Sequence, residues 1–320
     1  MIRTRLVAFC LTAVVAANAV AQEKKAAPEF RPPENVVMEN DIEYGRAGDR
    51  SLKLDLARPK EQGNKVLPVV VFIHGGGWQA GNKEGGRQAI AGFAATGNYI
   101  GVTVGYRLSQ EAIWPAQIHD CKAAIRWIRA NAEKYHINPD KIGAVGNSAG
   151  GHLVALLGTS GDIKELEGNN GNAGFSSRVN CVVDFCGPSD FLHFNEQKGN
   201  GGQSAVRNLF GGNPTEKADA ARAASPVTWA SKDDPPFLII HGSEDATVPY
   251  AQGEAMNAAL KQASVNATFI TVDGAGHGGL NVPEVMQRQR NFFDKHLRGG
   301  TADIPGGSVK AAPAPENKKD

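Results

Sequence analysis

Five short, largely apolar runs constrain this chain more than any other feature. They are Leu67–Ile73, Tyr99–Val104, Ile142–Val145, Val179–Phe185 and Phe237–His241. A strand that reads as a near-continuous apolar run is covered on both faces, as in the interior of a parallel sheet. Ala267–Val272 reads as the last strand of the series. Helical patterns lie between the runs. After Pro115, the residues Ile118, Cys121, Ile125 and Ile128 repeat at helical spacing and form one apolar stripe. Gln252–Lys261 reads as a second helix, and Met286–Leu297 as a third with Phe292, Phe293 and Leu297 on its core face. Asn138-Pro139-Asp140 marks a turn before the Ile142 strand. Asp41–Leu56 alternates weakly and suits an antiparallel strand or hairpin at the sheet edge. Strand and helix in alternation predict an α/β fold with a mostly parallel central sheet and flanking helices.

Two insertions interrupt the alternation. Gly161–Ser177 is polar and glycine-rich, which predicts a long surface loop. Residues 189–234 follow the end of a strand, where ligands bind in open α/β sheets. That placement predicts a small lid insertion, its start fixed by Asp190. At the N-terminus, Arg3 and Arg5 precede an apolar stretch, Leu6–Ala17, and the small-residue site Ala19-Val20-Ala21. This pattern reads as a signal peptide over residues 1–21, and hence a secreted or periplasmic protein. Phe9 before Cys10 argues against a lipoprotein site. Residues 22–35 read as a flexible leader, 36–298 as one catalytic domain, and the Gly-, Pro-, Ala- and Lys-rich 299–320 as a disordered tail.

Charge narrows the partners. With 34 basic and 33 acidic residues, the chain has no stripe for nucleic acid and no polybasic lipid patch. No later run is long enough for a membrane anchor. Cys121, Cys181 and Cys186 remain after the leader, too few for a disulfide scaffold. Cys181 and Cys186 share one strand-like segment, and an extended strand would hold them too far apart to bond. No CxxC or HExxH pairing occurs, so neither a metal nor another cofactor is expected.

The chemistry converges on Ser148 in Gly146-Asn147-Ser148-Ala149-Gly150, which sits between the Ile142 strand and an apolar helical run, His152–Leu157. Strand, tight turn and helix lift a serine hydroxyl clear of the backbone. A serine needs a base, and the base needs an acid to fix its tautomer. Asp245 follows the Phe237 strand and His277 follows the Ala267 strand, so serine, acid and histidine come in the order this arrangement requires. Glu244 stands as the alternative acid. The amide of Ala149, at the helix start, is one donor for an oxyanion hole. Among the other histidines, His152 reads as packing on its helix and His241 as lying behind the acid. His193, in the lid segment, and Trp78 are candidates for touching substrate, with plain packing the alternative for Trp78.

Together these motifs resemble the α/β-hydrolase fold. The likeness rests on His74-Gly75-Gly76-Gly77-Trp78, Tyr106-Arg107-Leu108, the Ser148 turn with Gly151 and His152, Ala224-Ser225-Pro226, Pro235-Pro236-Phe237-Leu238, Asp245-Ala246-Thr247-Val248-Pro249 and Gly276-His277. It spans roughly Leu52–Leu297. More narrowly, the chain is similar to secreted carboxylesterases related to hormone-sensitive lipases and to bacterial feruloyl and acetylxylan esterases. Asn147 stands where the lipase-like branch carries Asp, which draws the likeness toward the feruloyl and acetylxylan branch. The resemblance implies Ser148 as nucleophile, Asp245 as acid and His277 as base, and adds the amides of Gly76 and Gly77 to the oxyanion hole. His74 would brace that loop. The implied substrate is a short-chain acyl ester or an acetyl or feruloyl ester of a polysaccharide. A serine peptidase of the same fold and a non-catalytic binding protein are the rival readings.

Overall fold

The computed structural model describes residues 30–312 apart from 162 and 195–201, and every element below lies in the unit Pro32–Asp320. The expected signal peptide, most of the leader and the last eight residues of the tail lie outside the described residues.

The chain begins with a hairpin, β1 (Val36–Ala47) and β2 (Arg50–Pro59). Then β3 (Leu67–Ile73), α1 (Arg87–Ala95), β4 (Ile100–Val104), α2 (Ala116–Ala130) and the short α3 (Ala132–Tyr135) follow. Next come β5 (Ile137–Asn147), α4 (Ala149–Thr159) and β6 (Cys181–Phe185). The segment after β6 carries α5 (Gln203–Phe210), α6 (Ala218–Ala224) and α7 (Pro226–Trp229). The series closes with β7 (Phe237–Gly242), α8 (Tyr250–Gln262), β8 (Ala267–Asp273), α9 (Pro283–Arg298) and β9 (Gly307–Lys310). Among the described residues the strands form one sheet in the order β1-β2-β4-β3-β5-β6-β7-β8-β9. β1 and β2 are antiparallel at one edge, and every pairing from β3–β4 to β8–β9 is parallel.

The apolar runs are buried on both faces because successive side chains alternate between two cores. Val69 and Val71 enter the core that holds Ile125 and Ile128 of α2 and Leu153 and Leu156 of α4. Val70 enters the opposite core with Phe292, Phe293 and Leu297 of α9. Val182 and Val183 divide the same way, as do Ile239 and Ile240. Among the described residues, Cys121, Cys181 and Cys186 are free and buried. No helix among the described residues is long and apolar enough to cross a membrane.

Several sequence expectations change. The Asn138 turn lies inside β5, whose register against β3 jumps from Leu67↔Ile137 to Val69↔Ile142. The extra residues are accommodated by the Asn138 side chain, whose Oδ1 accepts from Asp140 N at 3.0 Å. The segment read as a disordered tail contains β9, which pairs with β8 and buries Val309. The end of the leader is held too: Pro33 O accepts from Val36 N and Asn35 O accepts from Lys60 N. The loop 161–177 is pinned by charge. Glu167 accepts from Lys122 and Arg126 of α2 at 2.7 and 2.8 Å, pairing two cations that are 0% and 2% exposed. The segment read as a lid is rooted in the core, where Phe191, Phe194, Leu209 and Phe210 share a cluster with Trp78.

Candidate active site

The site forms where β5, β7 and β8 end on one side of the sheet. At Ser148 the backbone turns from β5 into α4 with φ 56° and ψ −121°, a region that non-glycine residues seldom occupy. The flanking glycines permit it. A Cβ on Gly146 would lie 2.4 Å from the Gly150 backbone, and one on Gly150 would lie 2.1 Å from Ile73 O. The turn is tied by Ser148 N donating to Phe185 O at 2.8 Å.

His277 reaches this turn from the loop after β8. Its Nε2 lies 2.9 Å from Ser148 Oγ, and its Nδ1 lies 2.7 Å from Asp245 Oδ2. A carboxylate only accepts, so Nδ1 carries the hydrogen and Nε2 presents its lone pair to the serine hydroxyl. Asp245 is fixed from its other side. Its Oδ1 accepts from Thr247 N and Val248 N at 2.8 and 2.9 Å. His241 Nε2 donates to Val248 O at 3.0 Å and lies 3.5 Å from Asp245 Oδ2. Burial opposes the charge on Asp245, but the hydrogen bonds from His241, His277 and Val248 outweigh it and hold the carboxyl well below its ordinary range. Glu244 is exposed, and it is Asp245 that meets His277. Ser148, His277 and Asp245 are thus joined in one hydrogen-bonded chain. Such a chain can move a proton from a hydroxyl to an imidazole beside a fixed negative charge.

The glycine loop follows β3 and lies against the same turn, since a Cβ on Gly75 would come within 2.8 Å of Asn147 O. Gly76 and Gly77 have φ of 110° and 59°. A Cβ on Gly76 would lie 2.2 Å from Ala80 O, so a side chain is excluded there. The amides of Gly76 and Gly77, and that of Ala149 in the first turn of α4, have no protein acceptor among the described residues. First-turn amides at a helix N-terminus favour negative charge. His74 braces the loop: its Nδ1–H donates to Gly75 O at 2.8 Å and its ring stacks on Tyr106 at 4.3 Å. Tyr106 OH donates to His74 O at 3.0 Å.

Trp78 is 2% exposed and packs edge-on against His152 and Phe191. Its indole N–H donates to His152 Nδ1 at 3.1 Å, and His152 Nε2–H donates to Ala224 O at 2.8 Å. It is thus a buried support beneath the glycine loop and not an exposed wall. Burial lowers the His152 imidazole to about 4 and keeps it neutral. His193 faces solvent and pairs with Asp190 at 2.7 Å. Asp190 Oδ1 also accepts from Leu192 N and His193 N, so the acid shapes the turn that follows β6.

Sequence reasoning gave Cys186 no place at the site. It follows β6 with φ 45°, and its thiol lies 3.9 Å from His277 O. Cys186, Asp245 and His277 bring metal-ligating atoms within 4.8 Å of one another. Burial pushes the Cys186 thiol up, away from the thiolate that a metal requires, and the other two groups are already bonded to each other. The nearness of Cys186 to His277 arises because the His277 loop, coming from β8, reaches Ser148 at the end of β5 past the end of β6, which lies between those strands in the sheet, an order that no motif announces.

Comparison with known proteins bears on the fold and the family. The BD-FAE family profile matches residues 54–260, and that of the TAP-like proteins matches residues 214–307. Esterase LipC of Mycobacterium tuberculosis is 30% identical over 271 residues, covering 79% of this chain and 64% of LipC. The probable carboxylic ester hydrolase LipM of the same organism is 33% identical over 228 residues, covering 71% of this chain and 52% of LipM. The chain therefore spans between half and two thirds of the length of these relatives. Among solved structures, a truncated carbohydrate esterase from gut microbiota is 34% identical with a TM-score of 0.74, covering 83% of this chain and 99% of that one. Esterase 2 of Thermogutta terrifontis, phosphonylated by cyclosarin, is 25% identical with a TM-score of 0.67, covering 82% of this chain and 96% of that one. With a profile match across well over half its length and the architecture to go with it, the chain belongs to the BD-FAE family of the α/β-hydrolase fold.

Proposed function

We propose that this protein is a serine carboxylesterase that hydrolyses its substrate through an acyl-enzyme. The observation that carries the reading is the hydrogen-bonded chain Ser148–His277–Asp245, at 2.9 and 2.7 Å. His277 Nε2 takes the proton of Ser148 as Oγ attacks the ester carbonyl carbon. Asp245 keeps the imidazole oriented and stabilises the imidazolium that forms. The amides of Gly76, Gly77 and Ala149 receive the negative oxygen of the tetrahedral intermediate. The intermediate collapses as His277 gives its proton to the leaving alcohol, and the acyl group stays on Ser148. Water then attacks the acyl-enzyme while His277 takes its proton. A second tetrahedral intermediate breaks down to free acid and serine.

The substrates in this reading are short-chain acyl esters or acetyl and feruloyl esters of carbohydrate. The carbohydrate esterase and the esterases among the relatives support it. So does Asn147 in place of an acidic residue before the nucleophile. The pattern of Arg3, Arg5, Leu6–Ala17 and Ala19-Val20-Ala21 supports export to the periplasm or beyond. Ser148→Ala is the test. The variant keeps the melting profile of the parent, loses turnover of p-nitrophenyl acetate and no longer takes up a fluorophosphonate probe. Retained turnover in a folded Ser148→Ala protein overturns the mechanism.

A further inference from the structure

Resting on the ester-hydrolase reading above, we propose that a cleft between α1 and α9 binds the alcohol half of the ester. The alcohol is a neutral carbohydrate, and Gln289 is a specificity-determining residue that hydrogen-bonds one of its hydroxyls. The cleft measures about 810 Å³ and has His277 in its lining. Met286 and Asp294 of α9 both line it, and eight residues of helix rise about 12 Å, so it is elongated. Tyr99 and Asp294, joined by a hydrogen bond of 2.7 Å, line the part remote from the His277 loop.

Its place assigns it to the leaving group. His277 must protonate the leaving oxygen, so the alcohol has to lie on the His277 side of the scissile bond. On the side of the oxyanion glycines, Gly77 lies close against α5: a Cβ on it would come within 2.9 Å of Ala205. Its lining holds Arg290 and Asp294, whose opposite charges offset each other, and so points to a polyhydroxylated ligand without net charge. Phe72 and Phe93 supply apolar ring surface, and Gln88 and Gln289 supply amides. Pockets that select small molecules combine such apolar walls with a few placed polar groups.

Gln289 is the group that singles out the ligand. It is 5% exposed, lines the cleft, and its Oε1 is buried without a hydrogen-bond partner. Folded proteins rarely leave such a group unpaired. The terminal amide torsion of glutamine is soft, so the amide can turn to meet a hydroxyl that enters the cleft. The ligand then supplies the partner that the protein lacks.

Two variants test the assignment on two substrates with the same acyl group, p-nitrophenyl acetate and acetylated xylo-oligosaccharides. Gly92 lines the cleft, and a Cβ there meets nothing within 4 Å, so Gly92→Trp fills the cleft and not the core. Because the single ring of p-nitrophenol occupies only the His277 end of the elongated cleft, this variant is expected to label with fluorophosphonate and turn over p-nitrophenyl acetate like the parent. On the oligosaccharide its kcat/KM should fall more than about tenfold. Gln289→Leu keeps the volume and removes the hydrogen bond. Its KM for the oligosaccharide should rise about three- to tenfold with kcat unchanged, and p-nitrophenyl acetate should be unaffected. The proposal is overturned if either variant keeps the parent's ratio between the two substrates. It is also overturned if the parent cleaves p-nitrophenyl acetate but no acetylated saccharide. A parent inactive on both substrates refutes the ester-hydrolase reading itself, and this one with it.

Discussion

Replacing Asp245 by Asn tests the proposed site most sharply, because the structure dictates what the amide can do. The carboxylate faces four N–H groups. Oδ1 accepts from the amides of Thr247 and Val248, while Oδ2 accepts from His277 Nδ1 and has His241 Nε2 at 3.5 Å. Asparagine has one oxygen, so it can serve only one side. With its oxygen toward the two backbone amides, its NH2 group points at two imidazole N–H groups. His277 relieves the clash by moving its hydrogen to Nε2. That nitrogen then donates to Ser148 and can no longer take the serine proton. A wrong tautomer of this kind costs on the order of 10⁴ in kcat, which is about 5 kcal/mol of transition-state stabilisation. The assay is kcat on p-nitrophenyl acetate beside a thermal melt, with Glu244→Gln as control. The exposed Glu244 should change kcat by no more than about twofold. Stability follows the sign of the Asp245 shift. Its folded value is depressed, so its contribution is present above the ordinary carboxylate value and is lost as pH falls through the folded value. At neutral pH the Asn variant lacks that contribution and unfolds at lower denaturant. A folded Asp245→Asn protein with kcat within about tenfold of the parent refutes the argument that this carboxylate sets the tautomer of His277.

Other perturbations follow from the same geometry. Gly76→Ala places a Cβ 2.2 Å from Ala80 O at a φ of 110°, so the loop must move; kcat on p-nitrophenyl acetate should drop about 10²-fold or more as an oxyanion donor is lost. The neutral His152, with its value lowered to about 4, makes stability fall as pH drops from about 6.5 towards 4, because only the unfolded chain takes up the proton there. Over that window the loss is roughly 3 kcal/mol, read as a shift of the urea midpoint, and a His152→Gln variant should show a shallower pH dependence. Deleting residues 307–320 removes β9 and with it the burial of Val309, worth about 2 kcal/mol in chemical denaturation, while turnover of the small ester by the folded enzyme should persist.

What could be read from the sequence divides along a physical line. The parallel strands announce themselves because burial on both faces leaves few polar residues in them. Ser148, Asp245 and His277 announce themselves because each stands just past such a strand, in a turn where small residues clear space. By contrast, β9 carries a single buried side chain, Val309, and is held by the open edge of β8 rather than by its own composition. A Gly-, Pro- and Lys-rich segment gives no sign that an edge awaits it. Lys122 and Arg126 pose the same difficulty inside α2. Their charge suggests a solvated helix face, yet both are buried because Glu167, more than forty residues away, reaches them.

The pairing of Trp78 with His152 crosses 74 residues and bears on function. The Trp78 indole donates to His152 on α4, and Trp78 directly follows the glycines whose amides face the proposed oxyanion. The helix that begins at Ser148 therefore also supports the loop opposite it. A buried hydrogen bond between neutral groups thus joins the two halves of the site. A neutral His152 is needed for that bond, because a protonated Nδ1 cannot accept. The burial that lowers the His152 value is thus part of what keeps the glycine loop in place as pH falls.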